Sequence, residues 1–288
     1  MPQYLQFGFN MNSRSDTATS SSLSENAAGV QHLAGHKRVA CLEQASVQFA
    51  RADGQGMNTI FRNVSFDLRD GEMLVLVGRS GCGKTTALNL LAGLLQPTMG
   101  VVQVFDRSPK LGDRDVGYMF ARDALLPWRT VVQNVELGLE CSGVESGKRR
   151  KIAHSYLEMV HLSAYADNFP NTLSQGMRQR AALARTWATE PRLLLMDEPF
   201  AALDAQTRTS VRDEFVRLWE RDRRSVVFVT HDLHEAIILA DRIIVFANGR
   251  IGGEFMVPFE RPRDMMSLAA SDDVQALYTE LRELLAEG

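Results

Sequence analysis

A glycine-rich stretch from Met73 to Leu90 carries residue types that can bind phosphate. It reads M-L-V-L-V-G-R-S-G-C-G-K-T-T-A-L-N-L and contains the spacing G-x-x-x-x-G-K-T. A backbone without Cβ atoms lets phosphate oxygens approach the main-chain N–H groups, and the adjacent lysine supplies a positive charge. The pattern favours a phosphate-binding loop, or P-loop, over an ordinary glycine turn.

The elements predicted on either side fit such a loop. The apolar run Met73 to Val77 predicts a buried strand, and Ala87, Leu88, Leu90 and Leu91 continue at helical spacing. A helix that begins at the loop directs its positive N-terminal end at a bound anion. We therefore expect the nucleotide to contact the loop residues Gly78, Arg79, Ser80, Gly81, Cys82, Gly83, Lys84, Thr85 and Thr86.

Four residues have an expected chemical role in handling a nucleoside triphosphate. Lys84 can reach its β- and γ-phosphates, and the Thr85 hydroxyl can ligate Mg²⁺. The stretch L-L-L-M-D-E-P predicts a second buried strand, Leu193 to Met196, that ends at Asp197 and Glu198. Open α/β sheets bind ligands at this end of their strands, so we expect Asp197 to hold Mg²⁺ and Glu198 to act as general base towards water.

Four further residues are candidates for the same chemistry. His231 follows another buried run, where it could reach a γ-phosphate. Ser174 and Gly176 begin a strongly helical run, which is a second helix N-terminus with a hydroxyl and a bare backbone. Phe49 lies on a predicted strand upstream of the loop, and its ring could stack on a base or belong to the core. Spacing alone leaves both interpretations of Phe49 open.

The composition is that of a globular chain. It has 288 residues, 45% hydrophobic, and a net charge of -3, which excludes the strongly basic class of nucleic-acid-binding proteins. Cys41, Cys82 and Cys141 are too few and too scattered for a disulfide framework or a zinc site. No apolar run approaches the roughly 18 residues of a membrane span, and the first residues lack a signal peptide pattern. Membrane association would therefore depend on a partner.

The chain divides into three predicted parts. Residues 1–37 are rich in Ser and Thr and predict a disordered tail. Residues 38–252 form an α/β domain in which Cys41 to Phe49 and Phe61 to Leu68 predict an antiparallel sheet, and residues 122–189 a mainly helical subdomain. Ile243 to Phe246 is expected to be the last core strand, and the chain to leave the core after Gly253. Residues 253–288 then form an extension that carries an amphipathic helix.

The motifs together resemble those of the ATPase subunit of ATP-binding cassette (ABC) transporters. In order they read G-R-S-G-C-G-K-T-T, L-L-P-W-R-T-V, L-S-Q-G-M-R-Q-R, L-L-L-M-D-E-P, A-A-L-D and T-H-D. The resemblance extends from about Val39 to the end of the chain and implies the α/β fold of that family. This fold is a P-loop NTPase core with an antiparallel β subdomain and a helical subdomain.

The resemblance implies that two cassettes pair head to tail, with each ATP held between them. Ser174, Gly176 and Met177 would contact the γ-phosphate bound by the second copy. Asp204 would lie in the segment that crosses the seam. Phe49 would stack on the base, and His231 would act as the switch histidine of the family.

Three stretches look most like importers of the nitrate, sulfonate and taurine type: L-L-P-W-R-T-V, the G-M-R-Q-R form of the signature and the late E-R-P-R-D. This likeness implies a membrane permease that contacts Leu125 to Arg129, and a periplasmic solute-binding protein. It also implies a peripheral position on the cytoplasmic face of the membrane and no nucleic-acid partner. The alternative is a soluble ABC ATPase without a permease, which usually has a long coiled-coil insertion or two cassettes in one chain. Neither feature is present in the sequence.

Two positions depart from the family pattern. Ala121 follows Phe120, where the family usually has a glutamine that approaches Mg²⁺ and the attacking water. Gln175 replaces the first glycine of the usual L-S-G-G. Ala121 motivates another alternative, a catalytically weak subunit that senses nucleotide. Because Lys84 and the acidic pair are retained, we expect an active ATPase.

Overall fold

The computed structural model describes residues 35–51, 56–264, 268 and 271–287. Most of the predicted N-terminal tail, residues 1–34, lies outside the described residues. The rest forms two sheets and the helices packed on them. In the described part of the chain, no helix combines the length and apolar character that crossing a bilayer requires.

Strands and helices are numbered separately along the chain. The strands are β1 (Arg38–Ala50), β2 (Met57–Arg69), β3 (Met73–Gly78), β4 (Met99–Val104), β5 (Val116–Met119), β6 (Leu193–Asp197), β7 (Ser225–Thr230), β8 (Arg242–Ala247) and β9 (Arg250–Met256). The helices are α1 (Lys84–Leu91), α2 (Val131–Cys141), α3 (Ser146–Met159), α4 (Gln175–Ala188), α5 (Ala205–Asp222), α6 (Leu233–Leu239) and α7 (Asp272–Glu287). Short 3-10 turns lie at Ser163–Tyr165 and Pro170–Thr172.

The larger sheet has the strand order β5-β6-β7-β3-β8-β9. The first five strands in this order run parallel. Every residue of β3 and β7 is buried, which agrees with their unbroken apolar sequences, because a parallel sheet is covered on both faces. The carboxyl ends of β3, β6 and β7 therefore meet at one edge of the sheet, which is the edge where the candidate site residues were expected.

The smaller sheet is antiparallel, with β1 between β2 and β4. On β2, Val64, Phe66 and Leu68 are buried whereas Ser65 between them is exposed. This is the period-two burial of a strand that faces the core on one side. The predicted strands Cys41 to Phe49 and Phe61 to Leu68 are confirmed within β1 and β2.

Helices α2, α3 and α4 pack against one another and lie within the stretch predicted to be helical. Helix α2 begins at a capping box: Thr130 Oγ1 accepts from the backbone N–H of Gln133, and Gln133 Oε1 accepts from that of Thr130. The exact limits of a helical subdomain at 122 and 189 remain a prediction.

The expectation that the chain leaves the core after Gly253 is wrong. Strand β9 runs through this position and pairs antiparallel with β8. The turn between them is Asn248-Gly249, with φ of 48° and 68°, and Asn-Gly is itself a strong hairpin signal. Val274 and Leu281 of α7 are buried in the same cluster as residues of β3 and β7, so the C-terminal helix is part of the domain core.

Two apolar clusters cover the two faces of the larger sheet. Met73, Val75 and Val77 of β3 belong to one cluster, which includes residues of α2 to α7. Leu74 and Leu76 belong to the other, which includes the antiparallel sheet and α1. This division follows directly from the alternation of side chains along a strand.

Candidate nucleotide-binding site

The glycine-rich loop connects the buried strand β3 to helix α1. Gly81 and Gly83 have φ of 83° and 111°, in the left-handed region that glycine adopts without strain. A Cβ at Gly83 would lie 2.8 Å from Cδ1 of Phe61, so packing against β2 also requires glycine here. No side chain caps the N-terminus of α1, which leaves its first N–H groups available to an anion.

Lys84 turns its side chain back into the loop. Its Nζ donates hydrogen bonds to the main-chain oxygens of Gly78 at 2.6 Å and Arg79 at 3.0 Å. The residue is only 4% exposed. Cys82 is half-buried, while Arg79 and Ser80 are exposed. The loop thus surrounds a cation, which is the arrangement that binding of a polyphosphate requires.

Thr85 and Asp197 are brought together from α1 and the end of β6. The Thr85 hydroxyl donates to Asp197 Oδ1 at 3.0 Å. Burial raises the pKa of Asp197, while the Thr85 hydrogen bond and the charge of Lys84 oppose this rise. A hydroxyl and a carboxylate are hard oxygen donors that fit Mg²⁺, which usually takes few protein ligands and completes its shell with phosphate and water. The described residues contain no cluster of three His, Cys, Asp or Glu side chains that could hold a metal ion.

Glu198 and His231 also meet at this edge of the sheet. His231 Nδ1 lies 2.9 Å from Glu198 Oε2. Glu198 has a positive φ of 45°, and its N–H donates to the main-chain oxygen of Val229 at 3.0 Å. Such a backbone costs on the order of 1–3 kcal/mol and persists only where surrounding contacts hold it. The structure therefore aims the Glu198 carboxylate at His231 at the end of the strand that holds Asp197.

The other predicted residues form a second group at the N-termini of α4 and α5. Ser174 is the N-cap of α4 and accepts from the N–H of Met177 at 3.3 Å. Asp204 is the N-cap of α5 and accepts from the N–H of Thr207 at 3.0 Å. A Cβ at Gly176 would lie 2.4 Å from Cγ2 of Thr207, so the two helix N-termini are in close contact. The hydrogen bonds at Thr207 and nearby backbone lower the pKa of Asp204, which keeps this carboxylate ionised.

Phe49 lies near the end of β1 and is 44% exposed. Its interpretation as a core residue is therefore wrong. Val47 on the same strand pairs with Phe61 of β2, the residue that packs against Gly83. Phe49 thus lies two residues along β1 from the part of the antiparallel sheet that packs on the glycine loop, and its exposed ring is available for stacking.

Two residues that position this site were missed in the sequence. Gln179 is 4% exposed, and its amide donates to the main-chain oxygen of Pro199, the residue after Glu198. Thr207 sets the spacing between α4 and α5. A polar residue on the inner face of a predicted helix was a usable signal for Gln179, whereas no sequence signal indicated Thr207.

Comparisons with known proteins agree with this geometry. Residues 61–201 match the family described as ABC transporter. An ATP-binding protein of Brucella abortus is 48% identical over 202 residues, covering 69% of this chain and 78% of the relative. A taurine import ATP-binding protein of Rhizobium johnstonii is 39% identical over 250 residues, covering 85% of this chain and 95% of the relative.

A solved structure shares the fold as well. It is a dimeric ATP-binding cassette in a post-hydrolysis state, bound to ADP and Pi, with a TM-score of 0.68 and 32% identity over 76% of this chain and 98% of its own. The P-loop core, antiparallel sheet and helices predicted from the sequence are thus confirmed. The chain belongs to the ABC transporter family, as an ATPase cassette of the nitrate and taurine importer type.

Proposed function

We propose that this chain powers the uptake of a small anion or organic solute, by pairing with a second cassette beneath a membrane permease. One observation carries the proposal: a single chain presents two sets of groups of the kind that bind phosphate. The first set lies around Lys84 and Asp197, and the second around Ser174 and Asp204. The related cassette with ADP and Pi is a dimer, which supports pairing in which each copy completes the site of the other.

The loop residues Gly78 to Thr86 hold the triphosphate in this proposal. Lys84 places its positive charge against the β- and γ-phosphates. Thr85 and Asp197 hold Mg²⁺, which neutralises phosphate charge when it is bound. Phe49 stacks on the base, and base–aromatic stacking contributes about 1–3 kcal/mol.

Glu198 acts as the general base in this proposal. Its carboxylate accepts a proton from the attacking water, and His231 fixes the carboxylate through their 2.9 Å contact. Their side chains are 25% and 55% exposed, which leaves them accessible to a nucleotide and water. Because phosphoryl transfer needs mainly positioning and charge stabilisation, these groups supply this chain's own share of the reaction.

The second set of residues acts on the ATP of the neighbouring cassette. Ser174, Gly176 and Met177 place a helix N-terminus and a hydroxyl against its γ-phosphate. Asp204 lies beside them at the seam between the copies. Hydrolysis then removes the group that joins the two cassettes, and the dimer opens.

The permease contact is proposed for the loop Leu125 to Arg129. Trp128 in this loop is 71% exposed, which is unusual for a large aromatic side chain and supports a partner surface. A periplasmic protein would deliver the solute to the permease. The cassette would work as a peripheral subunit on the cytoplasmic face of the inner membrane.

Glu198→Gln tests the paired site. The substitution removes the base but keeps the shape, so we expect Mg-ATP to bind and to hold the closed dimer, with turnover lowered by about 10²-fold or more. Size-exclusion chromatography with light scattering in excess Mg-ATP measures the dimer.

Lys84→Ala in the Glu198→Gln background is the control. It removes the charge that binds the phosphates and should return the protein to a monomer under the same conditions. A Glu198→Gln variant that binds Mg-ATP and yet stays monomeric would contradict the pairing.

A further inference from the structure

The loop that follows β5 is fastened to α4 by two arginines. Arg178 Nε donates to Asp123 Oδ2 at 3.1 Å. Arg185 donates through both terminal nitrogens, to the main-chain oxygens of Asp123 and Ala124, at 2.7 Å each. The two arginines lie about two helical turns apart, so they contact the loop from one face of the helix. The loop is thus attached to α4 at two positions along the helix, Arg178 and Arg185.

Arg178 also reaches the start of its own helix. Its Nη1 donates to the main-chain oxygen of Leu173 at 2.8 Å, and Leu173 immediately precedes Ser174. A guanidinium group is planar and rigid, so these two bonds keep Asp123 and Leu173 in a fixed relation. The Arg178 and Asp123 side chains are 30% and 26% exposed, so this charge-assisted bond is screened less than a fully solvated pair.

The other half of the loop is held by Asn134 of α2, which is fully buried. Its Oδ1 accepts from the N–H of Leu126 at 2.7 Å. Its Nδ2 lies 3.0–3.1 Å from the main-chain oxygens of Leu126, Arg129 and Thr130. The loop from Asp123 to Thr130, which carries the exposed Trp128, is therefore joined to α2 and to α4.

We propose that Asp123 is a positioning residue for ATP hydrolysis, which acts through Arg178 to set the place of Ser174. The inference rests on the proposed contact between Ser174 and the ATP of the second cassette. A displacement of the loop at Trp128 then moves the N-terminus of α4 with it. The connection from the loop through Asp123 and Arg178 to Ser174 matters more because of Ala121. The position that is usually glutamine carries no side chain able to hydrogen-bond.

A set of full-length variants tests this role by steady-state ATPase kinetics. Asp123→Asn keeps the size and an acceptor oxygen but removes the charge that Arg178 binds. Because small misplacements of a site residue are costly, kcat should fall roughly tenfold. Binding of a fluorescent ATP analogue to the P-loop should stay within about twofold, since the hydrogen bonds of Asp123 are with Leu125, Arg178 and Arg185.

The Asp123→Asn and Ser174→Ala double variant separates positioning from a general structural effect. If Asp123 acts only by placing Ser174, the double variant should be no slower than Ser174→Ala alone. Arg178→Lys should lower kcat in the same way as Asp123→Asn. One ammonium group cannot reproduce the rigid guanidinium that holds both Asp123 and Leu173.

Glu140→Gln is the matched control. It breaks the 2.7 Å ion pair between Arg129 and Glu140, whose side chains are 28% and 40% exposed. This pair holds the same loop at its other end, to α2 rather than α4. Turnover should stay within about twofold of wild type.

Each result has one meaning for the positioning role. Wild-type turnover in both Asp123→Asn and Arg178→Lys, or a loss that adds to that of Ser174→Ala, overturns it while the paired site stands. Unchanged turnover in Ser174→Ala overturns both the role of Asp123 and the proposed contact to the second ATP.

Discussion

Ala121 lies just beyond the end of β5, at the edge of the larger sheet that carries the residues proposed to act on ATP. Met119 of β5 is paired with Met196 of β6, so the chain after Met119 emerges at the same edge as Asp197. A glutamine at position 121 would bring an amide to this edge, whereas alanine brings none. A substitution at position 121 therefore measures how the missing amide affects the rate of ATP hydrolysis.

Ala121→Gln tests whether the cassette is an active enzyme or a weak nucleotide sensor. We expect wild type to hydrolyse ATP well above the rate of Lys84→Ala, because the basic and acidic site residues are retained. The added amide should raise kcat by up to about tenfold, as a further polar group at the attacking water. Phosphate release measures both, and a wild-type rate equal to that of Lys84→Ala would leave only the sensor interpretation.

Glu235 is a buried acid in α6, the helix that follows the proposed switch histidine. It is 7% exposed, and its Oε1 has no hydrogen-bond partner among the described residues. Burial raises its pKa from 4.5 to about 7, with a further rise from Asp232. The Thr230 hydroxyl and the charges of Arg208 and Arg212 act in the opposite direction.

Glu235→Gln should change how stability depends on pH. Between pH 4.5 and about 7 the unfolded chain loses this proton while the folded chain keeps it. The folded state then binds more protons, so stability falls as pH rises through this window. Above about pH 7 the cost is on the order of 3 kcal/mol.

The amide of Glu235→Gln has no proton to lose in this range. Its free energy of unfolding should therefore exceed that of wild type by an amount that grows with pH, as measured by urea unfolding at a series of pH values. A difference that is the same at all pH values would show that Glu235 ionises normally in the folded protein.

At the scale of elements, the proposed second phosphate-binding region depends on how closely α4 approaches α5. The two helices begin side by side, each with its own N-cap, Ser174 and Asp204. Gly176 allows this approach because its missing Cβ would lie 2.4 Å from Cγ2 of Thr207. Glycine at this position thus has a packing reason within one chain, besides any contact with a nucleotide.

Gly176→Ala should destabilise the protein by about 1–3 kcal/mol, because the new methyl group overpacks this contact. Thr207→Ser removes the opposing methyl group but keeps the hydroxyl, so it should restore most of the loss when combined with Gly176→Ala. Urea unfolding of the four proteins of this cycle gives the free energies. No stability loss in Gly176→Ala would mean that the two helices lie too far apart for a methyl group at this position to meet Thr207.

At the scale of the whole molecule, the C-terminal segment is integrated with the catalytic core. Arg261 and Arg263 donate to main-chain oxygens at the end of α6, the helix that follows His231. Burial lowers the pKa of Arg263 to about 9. Helix α7 contacts the same element through Tyr278, whose ring lies 4.7 Å from that of His234. The segment therefore supports the helix that follows the proposed switch histidine.

Leu281→Ala tests this integration. Leu281 is fully buried in the main cluster, so its truncation should cost about 2–5 kcal/mol and lower the stability of the whole domain in one transition. Arg282→Ala is the control, because Arg282 is the exposed residue next to Leu281. Its free energy of unfolding should stay within about 0.5 kcal/mol of wild type. Unfolding of α7 ahead of the core, seen by circular dichroism and intrinsic fluorescence as two steps, would contradict a single core.

Local sequence determined much of the fold. It also determined most of the group of site residues around Lys84 and Asp197. Unbroken apolar runs specified the parallel strands, and their polar ends placed Asp197, Glu198 and His231, because parallel strands deliver such residues to one edge. Helix starts were also readable, since Ser174 has the chemistry of an N-cap. The Asn-Gly turn of β9 was equally local, and overlooking it produced the wrong exit of the chain from the core.

Only the tertiary structure decided the contacts between residues distant in the chain. The exposure of Phe49 depends on how the sheets and helices pack around it. Gly176 approaches Thr207, and Asp123 binds Arg178, across elements whose spacing along the chain indicates nothing about their distance in space. Such contacts depend on how whole sheets and helices pack, and packing depends on the summed shape of many side chains rather than on any motif. The chemistry of the site was therefore written in short stretches of sequence, whereas its geometry required the folded chain.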